Sequence, residues 1–181
     1  MFDYVKFENN IVEQAGDMIK QWMEEHKDIY IVSLDCAREM DSIGIIANTR
    51  QYLEEQVEEE QEDYFYYKYC EEEWDLFHTF DDISSYMKQY DEEMDAEFAE
   101  KKNGEYSEYT DKFDEHCDKM IESCKKALCR VKESIQSIYP DLLLTFYIRE
   151  YFDEEERGEI FEEINGEEAA KEYVENVEEF A

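Results

Sequence analysis

The sequence predicts an α+β domain: a small mixed, largely antiparallel sheet of about four strands packed against several helices, one of them long and central. Three observations carry this. Short β-branched and aromatic runs at residues 29–34 and 43–48 alternate with longer stretches whose apolar residues fall three and four apart. Residues 142–149 are almost continuously apolar, the pattern of a strand covered on both faces. With 181 residues, 43% apolar and 15% aromatic, the chain has enough material for one real core despite a formal charge of −34.

Taken in order, residues 3–26 are predicted helical, with Ile11, Ala15, Met18, Ile19, Trp22 and Met23 on one face. The strands at 29–34 and 43–48 are expected to pair antiparallel across a polar connection, and Gly44 marks a bulge or a close backbone approach. Asn48 or Thr49 caps a helix to about residue 61, with Tyr52, Leu53, Gln56 and Val57 inward. The aromatic run 64–70 is predicted as a third strand by composition, and 71–77 as a helical turn that plants Trp74 and Phe77 in the core. Asp81 or Asp82 then caps a helix striped with Ile83, Tyr86, Met87, Tyr90, Met94 and Phe98, broken by a turn at Lys101-Lys102-Asn103-Gly104.

The longest helix, about 107–138, repeats Phe113, Cys117, Met120, Ile121, Cys124, Leu128, Val131, Ile135 and Ile138. It carries six Lys/Arg against seven Asp/Glu, and such balance in so acidic a chain marks it as central. Pro140 ends it, and residues 142–149 are expected as a central strand. Asp153 caps a short helix to Ile164, Asn165-Gly166 stops it, and a last helix packs back through Ala170, Tyr173, Val174, Val177 and Phe180. The whole, 1–181, reads as a single acidic α+β domain with room for a helical insertion at about 81–106.

Charge excludes several functions. Eighteen Lys/Arg against 52 Asp/Glu disfavours direct nucleic-acid binding and anionic membranes, since both draw affinity from cations on the protein. The longest apolar run falls far short of the roughly 20 residues that span a bilayer, and no leader pattern opens the chain. Five cysteines, an odd number without a CxxC, suit reduced thiols and a cytoplasmic location. His26, His78 and His116 form no zinc-type spacing, no EF-hand loop is present, and neither GxSxG nor a glycine-rich phosphate loop occurs. No metal, cofactor or catalytic residue is therefore expected, and an enzyme is the lesser expectation; a pocket lined by carboxyls of raised pKa would favour it.

The unusual stretch lies at residues 48–77. Glu54, Glu55, Glu58, Glu59, Glu60, Glu62 and Asp63 have no Lys or Arg among them, and Tyr64, Phe65, Tyr66, Tyr67 and Tyr69 follow directly, with Glu71, Glu72 and Glu73 beside Trp74. A solvated helix face is the plain explanation of such acids. Against it, like charges four apart, as at Glu54/Glu58, destabilise a helix by roughly 0.2–0.5 kcal/mol per pair. Uncompensated acids also steer association with a basic protein, and tyrosines anchor interfaces. The expected partner contacts are Glu58, Glu59, Glu60, Glu62, Asp63, Glu71, Glu72 and Glu73, with Tyr64 and Tyr66 as anchors.

The order of features resembles a known family. Asp28-Ile29-Tyr30-Ile31-Val32-Ser33-Leu34-Asp35, then Ala47-Asn48-Thr49, Tyr69-Cys70-Glu71-Glu72-Glu73-Trp74 and Ile164-Asn165-Gly166-Glu167-Glu168-Ala169-Ala170 are similar to the bacterial domain-of-unknown-function family 4303. Tyr67 or Tyr69 stands at that family's first Trp position, and Gly166 where it has Pro. The resemblance implies a small acidic α+β protein akin to immunity proteins encoded beside polymorphic toxins. The leading expectation is an acidic inhibitor that neutralises a cationic toxin such as a nuclease. The alternatives are a DNA mimic from a mobile element that blocks a host defence nuclease, and an uncharacterised enzyme or housekeeping domain.

Overall fold

The sheet forms where the sequence places its two β-branched runs. In the computed structural model, which describes residues 1–59, 63–102 and 105–180, helix α1 (Tyr4–Glu25) leads into β1 (Ile29–Cys36), which pairs antiparallel with β2 (Ile43–Thr49). Strand β3 (Leu76–Thr79) adds antiparallel to β2, and β6 (Leu143–Ile148) adds parallel to β1, giving the order β3-β2-β1-β6. The sheet is thus mixed, with two antiparallel pairings and one parallel.

Alternation along the strands divides the core in two. On one face Val32, Leu34, Cys36, Ile43, Ile45, Ala47, Leu144, Phe146 and Ile148 meet α1, α4 (Asp81–Phe98) and α5 (Asp111–Ile135). On the other face Ile31, Ile46 and Leu143 meet α3 (Tyr64–Tyr69), α6 (Glu154–Asn165) and α7 (Glu167–Asn176) through Tyr69, Phe161, Ala170 and Tyr173. A register shift between Ile29 and Ile31 lets Tyr30 join this second core as well.

Helix α5 is central, as its charge balance predicts. Its buried line is Phe113, Cys117, Met120, Cys124, Leu128, Val131 and Ile135, and its cations reach outward to acids on neighbouring helices, Lys125 to Glu163 (2.8 Å) and Arg130 to Glu8 (2.5 Å). Ile138 departs from the predicted stripe: the helix ends three residues earlier and Ile138 stands 62% exposed.

Four further expectations are corrected. Residues 64–69 form helix α3, not a strand; Phe65, Tyr66 and Tyr69 lie at helical spacing and dock on the second core, so packing overrides aromatic β-propensity. The third strand is instead β3, and it leaves Phe77 60% exposed rather than planted in the core. Strand β6 is an edge strand; it is almost continuously apolar because α5 and α6 cover its two faces. Val174 points outward from α7, 44% exposed. The stretch 81–106 holds α4 and, after it, a two-stranded ribbon of β4 (Ala99–Lys102) and β5 (Glu105–Tyr109), with the predicted Asn103-Gly104 turn outside the described residues. Ile83, Met87 and Phe98 of α4 share the main core.

Several local predictions coincide with the structure. The Thr49 hydroxyl accepts from the Tyr52 N–H (3.1 Å) to cap α2 (Arg50–Glu59), and Asp153 and Glu156 close a reciprocal capping box on α6. Gly166, at φ 85°, ends α6 in backbone that favours glycine. Gly44 is needed for close approach: a Cβ there would sit 2.7 Å from the His78 carbonyl oxygen and 3.3 Å from the Phe77 ring.

Candidate partner-binding site

Helix α2 turns Leu53 into the second core and leaves Glu54 and Glu55 exposed. The predicted contacts Glu60 and Glu62 lie outside the described residues, as do the side chains of Glu58 and Glu59. Asp63 is exposed at the start of α3, and Tyr64 beside it is 42% exposed. Between the two helices runs a groove of about 310 Å³ lined by Arg50, Leu53, Glu54, Val57 and Tyr64. Lys68 sits 5.3 Å above the Tyr64 ring and pairs with Glu172. Among the described residues Glu54, Glu55 and Asp63 take part in no ion pair, whereas Glu115, Glu122, Glu163, Glu172 and Glu175 each hold a lysine.

The three glutamates at 71–73 form one 3-10 turn, whose residues project about 120° apart at three per turn, and so meet three environments. Glu71 is turned inward and is 3% exposed, so it presents no carboxylate to a partner and the expectation for it is corrected. Its Oε2 accepts from Arg157 Nη2 at 2.6 Å, and Arg157 Nε donates to the Tyr173 hydroxyl at 3.2 Å. Burial holds the Glu71 carboxyl above its usual range although Arg157 opposes this. Glu72 is exposed but engaged, accepting from the Tyr147 hydroxyl (2.7 Å) and pairing with Arg149 Nε (3.0 Å). Glu73, half-buried, accepts from the Tyr66 hydroxyl (2.9 Å); that bond is the main reason the Tyr66 phenol is raised. Tyr66 is therefore tied to its own chain, and Tyr64 is the freer of the two predicted anchors.

Beneath α3 the second face of the sheet is polar in places. Asn48 Nδ2 donates to the Tyr30 hydroxyl (3.0 Å) and to the Tyr67 carbonyl (3.1 Å), while Tyr30 donates to the Lys68 carbonyl (2.8 Å). These bonds fix α3 to β1 and β2, and so fix where Tyr64 and Asp63 stand. Tyr69 donates to Glu172 (2.6 Å), which ties α3 to α7. The Glu71–Arg157 pair was not legible as a site. Its one sequence signal is Arg157 standing in line with Ile160, Phe161 and Ile164, the buried face of an otherwise acidic helix.

A second concavity, about 520 Å³, opens at the C-terminal ends of β1 and β6. Asp35, Arg38, Glu39, Gly44, Phe77 and Arg149 are among its lining residues. Arg38 pairs with Glu150 (3.4 Å), as Arg149 does with Glu72, so each of these two arginines is already met by an acid of the chain. Burial, with Glu72 adding to it, raises the Asp35 carboxyl.

His116 and three of the cysteines lie in the core. His116 is buried among Phe2, Tyr90 and Phe98, shares a 2.8 Å hydrogen bond with the Tyr4 hydroxyl, and is lowered by burial to about 4. Cys36, Cys117 and Cys124 are buried and their thiols are pushed up by that burial, Cys117 to about 12. Among the described residues no group of three or more His, Cys, Asp or Glu is placed to hold a metal ion.

Together these features define an acidic α+β domain with a mixed four-stranded sheet and a grooved, acid-flanked helical face. The chain belongs to the family described as a domain of unknown function, DUF4303, whose model matches residues 11–166. Neither the curated proteins nor the solved structures yield a match. Among the described residues no helix is long and apolar enough to cross a membrane.

Proposed function

We propose that this protein is a binding and inhibitory protein for a basic partner, acting as an immunity protein does when it neutralises a cationic toxin domain such as a nuclease. One observation carries this: the groove where Leu53, Val57 and Tyr64 meet, with Arg50 on its lining, is bordered by the exposed acids Glu54, Glu55 and Asp63, which among the described residues pair with no cation. Acids left uncompensated beside an apolar groove speed encounter with a basic surface, and the groove then supplies contact that salt does not screen. Five free cysteines support a reducing, cytoplasmic setting for that encounter.

The test is capture from the native cell at low salt, salt elution, and direct titration of the released protein. Reversing Glu54, Glu55 and Asp63 to Lys cuts its association rate about tenfold or more and flattens the salt dependence, with folding intact. Unchanged affinity refutes the acidic face.

A second reading, a ligand-binding or catalytic cleft, draws support from one observation: Asp35, with its raised carboxyl, lines the 520 Å³ opening. Thermal shifts with panels of amino acids, nucleotides and sugars test it. A shift that Asp35→Asn abolishes favours it; a silent panel removes it.

A further inference from the structure

The two edges of the sheet are treated differently. On β6 the outer edge is closed by a side chain: Leu144 N–H donates to Asn165 Oδ1 (2.9 Å), and Asn165 Nδ2 donates back to the Leu144 carbonyl (2.6 Å). The amide imitates a neighbouring strand and occupies the Leu144 groups that another strand would take. Among the described residues no side chain bonds the outer edge of β3 in this way. Phe80 N–H bonds to the Ile43 carbonyl (3.0 Å), one step beyond the Gly44↔Thr79 pair, and bonding alternates along an antiparallel ladder. Leu76 and His78 therefore spend their backbone groups on β2. The N–H and C=O of Phe77 and Thr79 point to the free edge, and among the described residues nothing bonds them.

We propose that the β3 edge is the docking site for an extended basic segment of a partner protein, which adds as a fifth strand beside β3. The surroundings select that chemistry. Between Lys68 and Lys88 the chain has no Lys or Arg, the exposed Asp75, Asp81 and Asp82 flank the strand, and the two arginines that share a concavity with Phe77 and Thr79, Arg38 and Arg149, are each paired with a glutamate. Phe77, 60% exposed, offers a ring face on the same side of the sheet as Thr79. A Lys or Arg side chain of the added strand lies over that ring as a cation–π contact, while main-chain bonds to Phe77 and Thr79 supply affinity. A second copy of this chain is the poorer occupant, because each copy brings a charge of −34 to the same edge. The proposal rests on the basic-partner reading above and adds its binding mode.

The probe is a short peptide of alternating Lys and Val, titrated at low salt into the full chain, beside the same peptide N-methylated at every second residue. Amide NMR locates the contact. The expected result is that the Phe77 and Thr79 amide signals shift and their hydrogen exchange slows, and that N-methylation weakens binding about tenfold or more. Phe77→Lys, which leaves the backbone in place, weakens it too. Equal affinity for the N-methylated peptide, or shifts confined to α2 and α3, overturns edge docking and leaves the basic-partner reading standing. No binding of either peptide at low salt overturns edge docking and counts against the basic-partner reading as well.

Discussion

The Glu71 carboxylate and the Arg157 guanidinium lie 2.6 Å apart with side chains 1% and 9% exposed, joining the turn before β3 to helix α6. A pair this buried stabilises less by its own attraction than by avoiding a lone charge in the core. Arg157→Met strands Glu71 and should destabilise the domain by about 3–5 kcal/mol, read by urea unfolding. The double variant Glu71→Met with Arg157→Met should recover most of that loss. If it recovers none, the pair has a role beyond mutual neutralisation.

His116 gives the fold an acid-sensitive point. Its folded value of about 4 lies below the ordinary 6.5, so the unfolded chain binds the proton more readily. Stability should therefore fall as pH drops from about 6.5 towards 4, with a limiting slope of about 1.4 kcal/mol per pH unit for one group. The raised carboxyls Asp35 and Glu71 act in the opposite sense, since they favour the protonated form in the folded chain. Replacing His116 with Leu should flatten the acid limb of a pH–stability profile; an unaltered limb would assign it to other groups.

Gly44→Ala should loosen β3. The added methyl meets the His78 carbonyl oxygen at 2.7 Å, which is backbone and cannot swing aside. A cost of about 1–3 kcal/mol is expected, with faster amide exchange in Leu76 and His78 before any change in α5. Uniform exchange across the sheet would show that β2 and β3 move as one.

Trp74, 9% exposed in the second core, should cost about 3–5 kcal/mol on replacement by Ala. A small effect would mean that α3 and α7 close the space it leaves.

Asn165→Ala removes both bonds to Leu144 and should cost about 1–3 kcal/mol for the groups left unpaired. It also opens the β6 edge, so a rise in self-association at high salt, followed by light scattering, is the accompanying sign.

Much of the scaffold was legible. Helices α1 and α5 announce themselves by apolar spacing, α6 by its Asp153 cap, and β1 and β2 by β-branched runs. What failed had a physical cause in each case. Tyr-rich residues 64–69 look like a strand by composition, but their helix is set by Tyr30, Asn48 and Glu172, which lie far away in sequence. An apolar β6 signals cover on two faces, not pairing on two edges, and sequence alone does not separate them. The acidic site was partly legible as a stretch. Which of Glu71, Glu72 and Glu73 turns inward depends on Arg157, 86 residues from Glu71.

The central claim is that exposed acids beside the α2–α3 groove recruit a basic protein. The most direct measurement is the association rate of that protein, once eluted from the native cell, against ionic strength for the wild type and for the triple reversal of Glu54, Glu55 and Asp63 to Lys. The account predicts a rate that falls steeply with salt in the wild type and is slow and nearly flat in the variant. Coincident curves for the two proteins would contradict it.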